Sequence, residues 1–177
     1  MKNLIKKMSL ACIALTMLSC SDDDNNTPQQ QTIAEIAAGN AEFSTLVTAL
    51  NRTGLTATLD GTAEFTVFAP TNAAFDKLPA GTVEGLLKPE SKATLTSILT
   101  YHVVSGKFEA AAVIEAIEAN KGKFEVTTVQ GGKITLSLVD GKVVLTDAKG
   151  GKATVAIADV AASNGVIHAI DSVVMPK

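Results

Sequence analysis

Two periods run along this chain. In its first two thirds apolar positions return every three to four residues, and in its last third they alternate, so helices precede strands. The stretch "TIAEIAAGNAEFSTLVTALNRTGL", residues 32–55, carries Phe43, Leu46, Val47 and Leu50 at i, i+3, i+4 and i+7, one apolar face of a helix. Thr32 and Glu35 have the spacing of a capping box, and Gly54 is a natural C-terminal stop. "EFTVF", residues 64–68, reads as a buried strand that Pro70 ends. "TNAAFDKL" reopens a helix, with Thr71 or Asn72 supplying an oxygen to its free amides. "PESKATLTSILTYHVV" sets Leu95, Ile98 and Leu99 on one helical face and turns extended at Val103 and Val104; "EAAAVIEAIEA", residues 109–119, is a further short helix.

From Phe124 the period is two. "FEVTTV", "KITLSLV", "KVVLTDA", "KATVAIA" and "GVIHAIDSVV" read as five strands, and Ile134, Leu136 and Leu138 share one face of the second. The connectors Gly131-Gly132, Asp140-Gly141 and Gly150-Gly151 are hairpin signals. Helices first and strands later predict an α+β domain with an antiparallel sheet.

The N-terminus does not belong to that domain. Lys2, Lys6 and Lys7 precede a short apolar run, Leu10 to Leu18, too short to span a bilayer. It ends in "MLSC", which resembles a bacterial lipobox, although Met17 stands where Leu is commoner. The expectation is a lipoprotein signal peptide over residues 1–19, with Cys20 lipidated after cleavage. "SDDDNNTPQQQ", residues 21–31, has no apolar residue except Pro28 and reads, with Cys20, as a solvated tether over residues 20–31. The acidic run Asp22, Asp23 and Asp24 resembles the surface-export signal of some Gram-negative lipoproteins. It favours the outer face of the outer membrane, with the periplasmic face as the alternative. Removal of the three lysines leaves 12 basic and 18 acidic residues, a formal charge of −6. That balance excludes a nucleic-acid partner and any electrostatic grip on anionic lipid, so membrane attachment falls to the acyl chains.

Candidate chemistry is sparse. The chain lacks GxSxG, HExxH, GxGxxG and the P-loop pattern, and its two histidines, His102 and His168, stand far apart. No catalytic residue, metal or cofactor is expected; Glu64, Asp159 and Asp171 could supply carboxylates, but spacing does not identify a pair. In "NGVIHAID", residues 164–171, Asn164-Gly165 reads as a tight turn. Val166, His168, Ile170, Ser172 and Val174 then share one strand face, and Ile167, Ala169, Asp171 and Val173 the other. Both faces are largely apolar, so the strand is central, and a histidine there needs a partner. The reading is a neutral His168 bonded to backbone or to a side chain of the "TVFAPTN" turn.

Three ordered segments carry a family resemblance. "FTVFAPTNAAF", residues 65–75, "YHVVSG", residues 101–106, and "DVAASNGVIHAIDSVVMP", residues 159–176, resemble the two signature segments and the Tyr-His motif of fasciclin domains. The resemblance covers residues 32–177. It implies a fasciclin-like β-sandwich or wedge of about seven strands, mostly antiparallel, flanked by helices. It also gives Pro70, Thr71, Asn72, Asn164, Gly165 and His168 structural roles in the two signatures. The function implied is non-enzymatic: a lipid-anchored cell-surface protein mediating adhesion or binding an extracellular protein or glycan. The alternative is an accessory glycan-binding lipoprotein of a polysaccharide uptake or matrix system; one Tyr and no Trp offer it few stacking rings. In some animal fasciclin domains an Asp-Ile pair and the Tyr-His segment are implicated in integrin-dependent adhesion. The matching candidates are Asp159-Val160, with Val in place of Ile, and Tyr101-His102.

Overall fold

The computed structural model describes residues 31–61 and 63–177. The expected signal peptide, the lipidated Cys20 and nearly all of the tether lie outside these residues.

The helical half begins with α1 (Ile33–Gly39), a 3-10 turn (Ala41–Phe43), α2 (Ser44–Thr53) and α3 (Thr56–Leu59). The capping box of Thr32 and Glu35 is formed, and Gly54 ends α2 in the left-handed region at φ 79°. The single helix expected over 32–55 is instead broken near Gly39 and Asn40. The Asn40 side chain accepts the Glu42 N–H, a local bond that competes with helix continuation. Beyond the break the apolar stripe behaves as read, with Phe43, Leu46 and Leu50 buried. Next come β1 (Phe65–Pro70), α4 (Asn72–Asp76), α5 (Thr82–Leu86), a 3-10 turn (Pro89–Ser91), α6 (Lys92–Tyr101), β2 (Val103–Ser105) and α7 (Ala110–Ala119).

The last third supplies β3 (Lys123–Thr127), β4 (Lys133–Val139), β5 (Lys142–Thr146), β6 (Lys152–Ala162) and β7 (Gly165–Ile170). The seven strands form one sheet in the order β2-β1-β7-β6-β5-β4-β3. Every pairing is antiparallel except β1 with β7, which run parallel in the register Phe65 to Gly165 through Pro70 to Ile170. A bridge between Val104 and Thr128 brings the two ends of the sheet together, so the sheet curls into a nearly closed wedge.

Strand alternation splits the core in two. Val67 and Ala69 of β1 and Ile167 and Ala169 of β7 pack against α1, α2 and α6. Phe68 and Ile170, on the opposite face, join Tyr101, Ile117, Ile134, Leu136 and Leu145 in a second core beneath α7. Every residue of β7 is buried, as a central strand with two apolar faces requires.

Candidate functional site

The closing strand is positioned by its turn. Ser163 and Asn164 link β6 to β7, with Ala162 paired to Gly165. The expected turn is there, one residue earlier than "NG", and Asn164 acts through its side chain. Its Oδ1 accepts the Ile33 N–H at 3.0 Å, a first-turn amide of α1. Its Nδ2 donates to Leu59 O, in the last turn of α3, and to Gly61 O at 2.9 Å. One buried amide thus ties the start of α1 and the end of α3 to the sheet. Gly165 carries φ 151°, and a Cβ there would sit 1.9 Å from Phe65 O. Only glycine admits so close a neighbouring strand.

The other signature makes a comparable tie. Thr71 is the N-cap of α4 but its side chain makes no cap hydrogen bond, and Asn72 does not cap that helix either. Asn72 Oδ1 instead accepts the Thr45 N–H at 3.1 Å, while its Nδ2 donates to Ala41 O at 2.8 Å. It caps α2, which has no side-chain cap of its own, from across the fold. Pro70 ends β1 opposite Ile170.

His168 lies beside Phe68 across the parallel pair, with ring centroids 5.7 Å apart. Its Nε2–H donates to Phe108 O at 2.8 Å and its Nδ1 accepts the Asp159 N–H at 3.3 Å. These partners suit the neutral tautomer protonated on Nε2. They are backbone groups from the β2–α7 loop and from β6, rather than from the "TVFAPTN" turn. The β2–α7 loop is itself fixed by Thr66, whose hydroxyl donates to Gly106 O at 2.7 Å and accepts the Phe108 N–H at 2.8 Å.

Asp159 sits where β6 leaves its register. Between Val155 and Val160 the strand gains two residues over β7 in successive bulges. Asp159 occupies the second at φ 57°, a conformation aspartate tolerates better than most residues. Its side chain is exposed, and Oδ1 accepts the Ala110 N–H of α7 at 2.7 Å. Val160 is half-buried and packs against the first core.

The Tyr-His pair is internal. Tyr101 is 1% exposed and His102 is 2% exposed. The Tyr101 hydroxyl donates to Lys133 O at 2.7 Å and accepts the Ala148 N–H at 3.2 Å. Burial pushes its phenol above the ordinary range, against the lowering effect of the Ala148 amide. A Cβ on Gly132 would meet the Tyr101 ring at 2.6 Å, so that glycine serves the ring as well as the β3–β4 turn. His102 Nδ1–H donates to Ile98 O at 2.7 Å, and Nε2 accepts the Val174 N–H at 3.3 Å, the neutral tautomer opposite to that of His168. Burial pushes its pKa down to about 4, over the opposing pull of Ile98 O and Asp147. In this conformation neither Tyr101 nor His102 presents a polar atom to a surface partner, whereas Asp159 does. The structure therefore separates the two candidate pairs.

Asp147 matches none of the motifs named above, yet it organises a turn and the C-terminus. Its Oδ1 accepts the Lys149 and Gly151 N–H groups at 2.9 and 2.7 Å, and its Oδ2 accepts the Met175 N–H at 2.9 Å. It closes the "DAKGG" turn and holds the C-terminal segment against it; the Asp-x-x-Gly-Gly spacing was the available signal. Asp171 accepts the Thr154 N–H at 2.8 Å and pairs with Lys77 at 3.3 Å. Among the described residues, no three His, Cys, Asp or Glu side chains gather as a metal site.

The fasciclin domain family model matches residues 41–176. Protein sll1483 of Synechocystis is 52% identical over 85% of this chain and 76% of its own. Immunogenic protein MPB70 of Mycobacterium bovis is 38% identical over 83% of this chain and 70% of its own. Cell surface glycolipoprotein MPB83 of the same species is 36% identical over 83% of this chain and 61% of its own. Among solved structures, the domain pair of the insect cell adhesion molecule Fasciclin I superposes with a TM-score of 0.70 at 20% identity. It covers 80% of this chain and 50% of that one, and the likeness is one of fold.

Proposed function

The chain belongs to the fasciclin domain family, and from that premise we propose that it is a non-enzymatic, lipid-anchored adhesion module on the outer face of a bacterial outer membrane. The carrying observation is that both histidines are buried and bonded to backbone as opposite neutral tautomers. The side chains best suited to proton transfer near neutral pH therefore serve the fold. Asp159 differs, because it stands on an exposed bulge with its carboxylate oriented by the α7 amide. Function resides in the sites a fold displays, not in the scaffold itself. The words cell surface and cell adhesion in the names of two similar proteins favour the same reading.

Intact-cell protease shaving combined with adherence to a panel of matrix proteins and glycans tests it. The wild-type cells should lose the domain to added protease and adhere to at least one panel member. Cys20→Ser should release the protein from the membrane, and Asp159→Asn should lower adherence. Full protection in intact cells, with the protein cleavable after lysis, would remove the surface assignment. Adherence unchanged by deletion of the protein would remove the adhesive one. Binding to glycans alone would transfer the role to polysaccharide capture.

A further inference from the structure

We propose that the open end of the second core is a binding site for a small apolar carboxylate, a role separate from the adhesive one. Phe68 and His168 lie at its base, Val113 and Ile114 of α7 on one side, and Val143 and Val155 of the sheet on the other. Together they line a half-open cavity of about 240 Å³.

The gap has a local cause. Elsewhere the second core is filled by large side chains such as Tyr101, Ile117 and Leu136. Around the opening the lining positions are Ala110, Gly141, Ala156 and Ala158, too short to close it. The bulges of β6 between Val155 and Val160 draw that strand out of register with β7 at the same level. Leu138, directly opposite Val143 and so on the same face, is 38% exposed. Apolar surface therefore continues beyond the mouth.

Size and charge select the ligand class. A dry apolar cavity of about 150 Å³ accommodates benzene, so this one has room for a ring bearing a short chain. Both ring nitrogens of His168 are already bonded, which leaves the base without a free polar group. Among the described residues, Lys142, the first residue of β5 and next to Gly141 at the mouth, is the one charged residue lining the cavity, and it forms no ion pair with them. At the other end the Asp159 carboxylate rests on the Ala110 amide and repels an anion. An apolar acid therefore enters with its body over Phe68 and its carboxylate at Lys142. Asp140, in the same turn as Lys142, weakens that attraction.

Calorimetric titration of the full chain with hydrocinnamate and with its neutral analogue, hydrocinnamyl alcohol, tests this. The acid should bind about fivefold more tightly than the alcohol at low salt, the scale of one rim charge pair. Lys142→Gln should make the two bind alike, and Asp140→Asn should strengthen the acid. Ala110→Leu and Ala158→Leu, which fill the cavity, should each abolish binding while circular dichroism shows the fold intact. No binding of the acid up to about 10 mM would overturn the site. Undiminished binding to both filled variants would do the same. Equal affinity of acid and alcohol for the wild type would overturn the role of Lys142.

Discussion

Acid should unfasten this domain through His102. The imidazole is buried, donates from Nδ1 to Ile98 O and accepts at Nε2 from Val174 N–H. A second proton would have to go on Nε2, where it would meet the Val174 N–H, donor against donor. Burial is the larger obstacle, and it lowers the folded-state pKa from 6.5 to about 4. An unfolded chain takes up that proton from about pH 6.5 downward, whereas the folded chain refuses it until about pH 4. The stability that a neutral His102 contributes is thus fully present above pH 6.5 and drains away as pH falls toward 4. At somewhat over 1 kcal/mol per pH unit across that window, roughly 2 to 3 kcal/mol is lost between about pH 7.5 and about pH 4.5.

Urea unfolding across that range reads the loss directly as a fall of about 1 M in midpoint. Other groups titrate too. Asp171 is held below the ordinary carboxylate range: burial raises its pKa, but the Thr154 amide and Lys77 together outweigh that rise. Its contribution is lost only lower, as pH drops through its folded pKa. The difference between wild type and His102→Gln isolates His102, since the variant starts less stable but lacks the steep decline. Protection factors at Val174 and Met175, taken relative to the intrinsic exchange rate at each pH, should fall over the same window, because protonation breaks the bond that holds the C-terminal segment beside Asp147. Parallel decline of the wild type and the variant, or a His102 ring that titrates near 6.5 by NMR, would refute the reasoning.

Gly165→Ala drives a Cβ into the Phe65 carbonyl, backbone against backbone, and should cost more than about 3 kcal/mol, lowering the melting temperature by about 10 °C. A melting temperature within about 2 °C of wild type would show that the two strands do not approach so closely. Asn164→Ala strands the Ile33 amide and the Leu59 and Gly61 carbonyls, and should cost about 3 kcal/mol, with faster exchange at the Ile33 amide; a loss below about 1 kcal/mol would refute the tie.

What could be read from the chain was what its neighbours in sequence determine. The Thr32–Glu35 box and the Gly54 stop depend on residues within one helical turn, and both are formed. The two apolar faces of β7 follow from alternation alone, and they correctly gave a central strand. The ties made by polar side chains could not be read this way. Asn72 looked like a cap for the helix it begins, yet its oxygen caps α2, which precedes it by a whole strand. Asn164 looked like a turn former, yet its amide joins two helix ends more than 100 residues away in sequence. The residue types were right, since short amides suit turns and caps alike, but only the parallel register of β1 with β7 decides which helix end lies within reach. The Tyr-His segment shows the same limit. Its residue types suit a binding surface, and its sequence position, at the junction of α6 and β2, says nothing of exposure. It is Gly132, from the distant β3–β4 turn, that leaves room for the Tyr101 ring to enter the core. Asp159 could be read no better, because its exposure comes from two bulges that ordinary alternation does not announce. The side chains that hold the fold and those that face solvent are thus chosen by the same long-range register, and the bulged edge of β6 is where that register gives way.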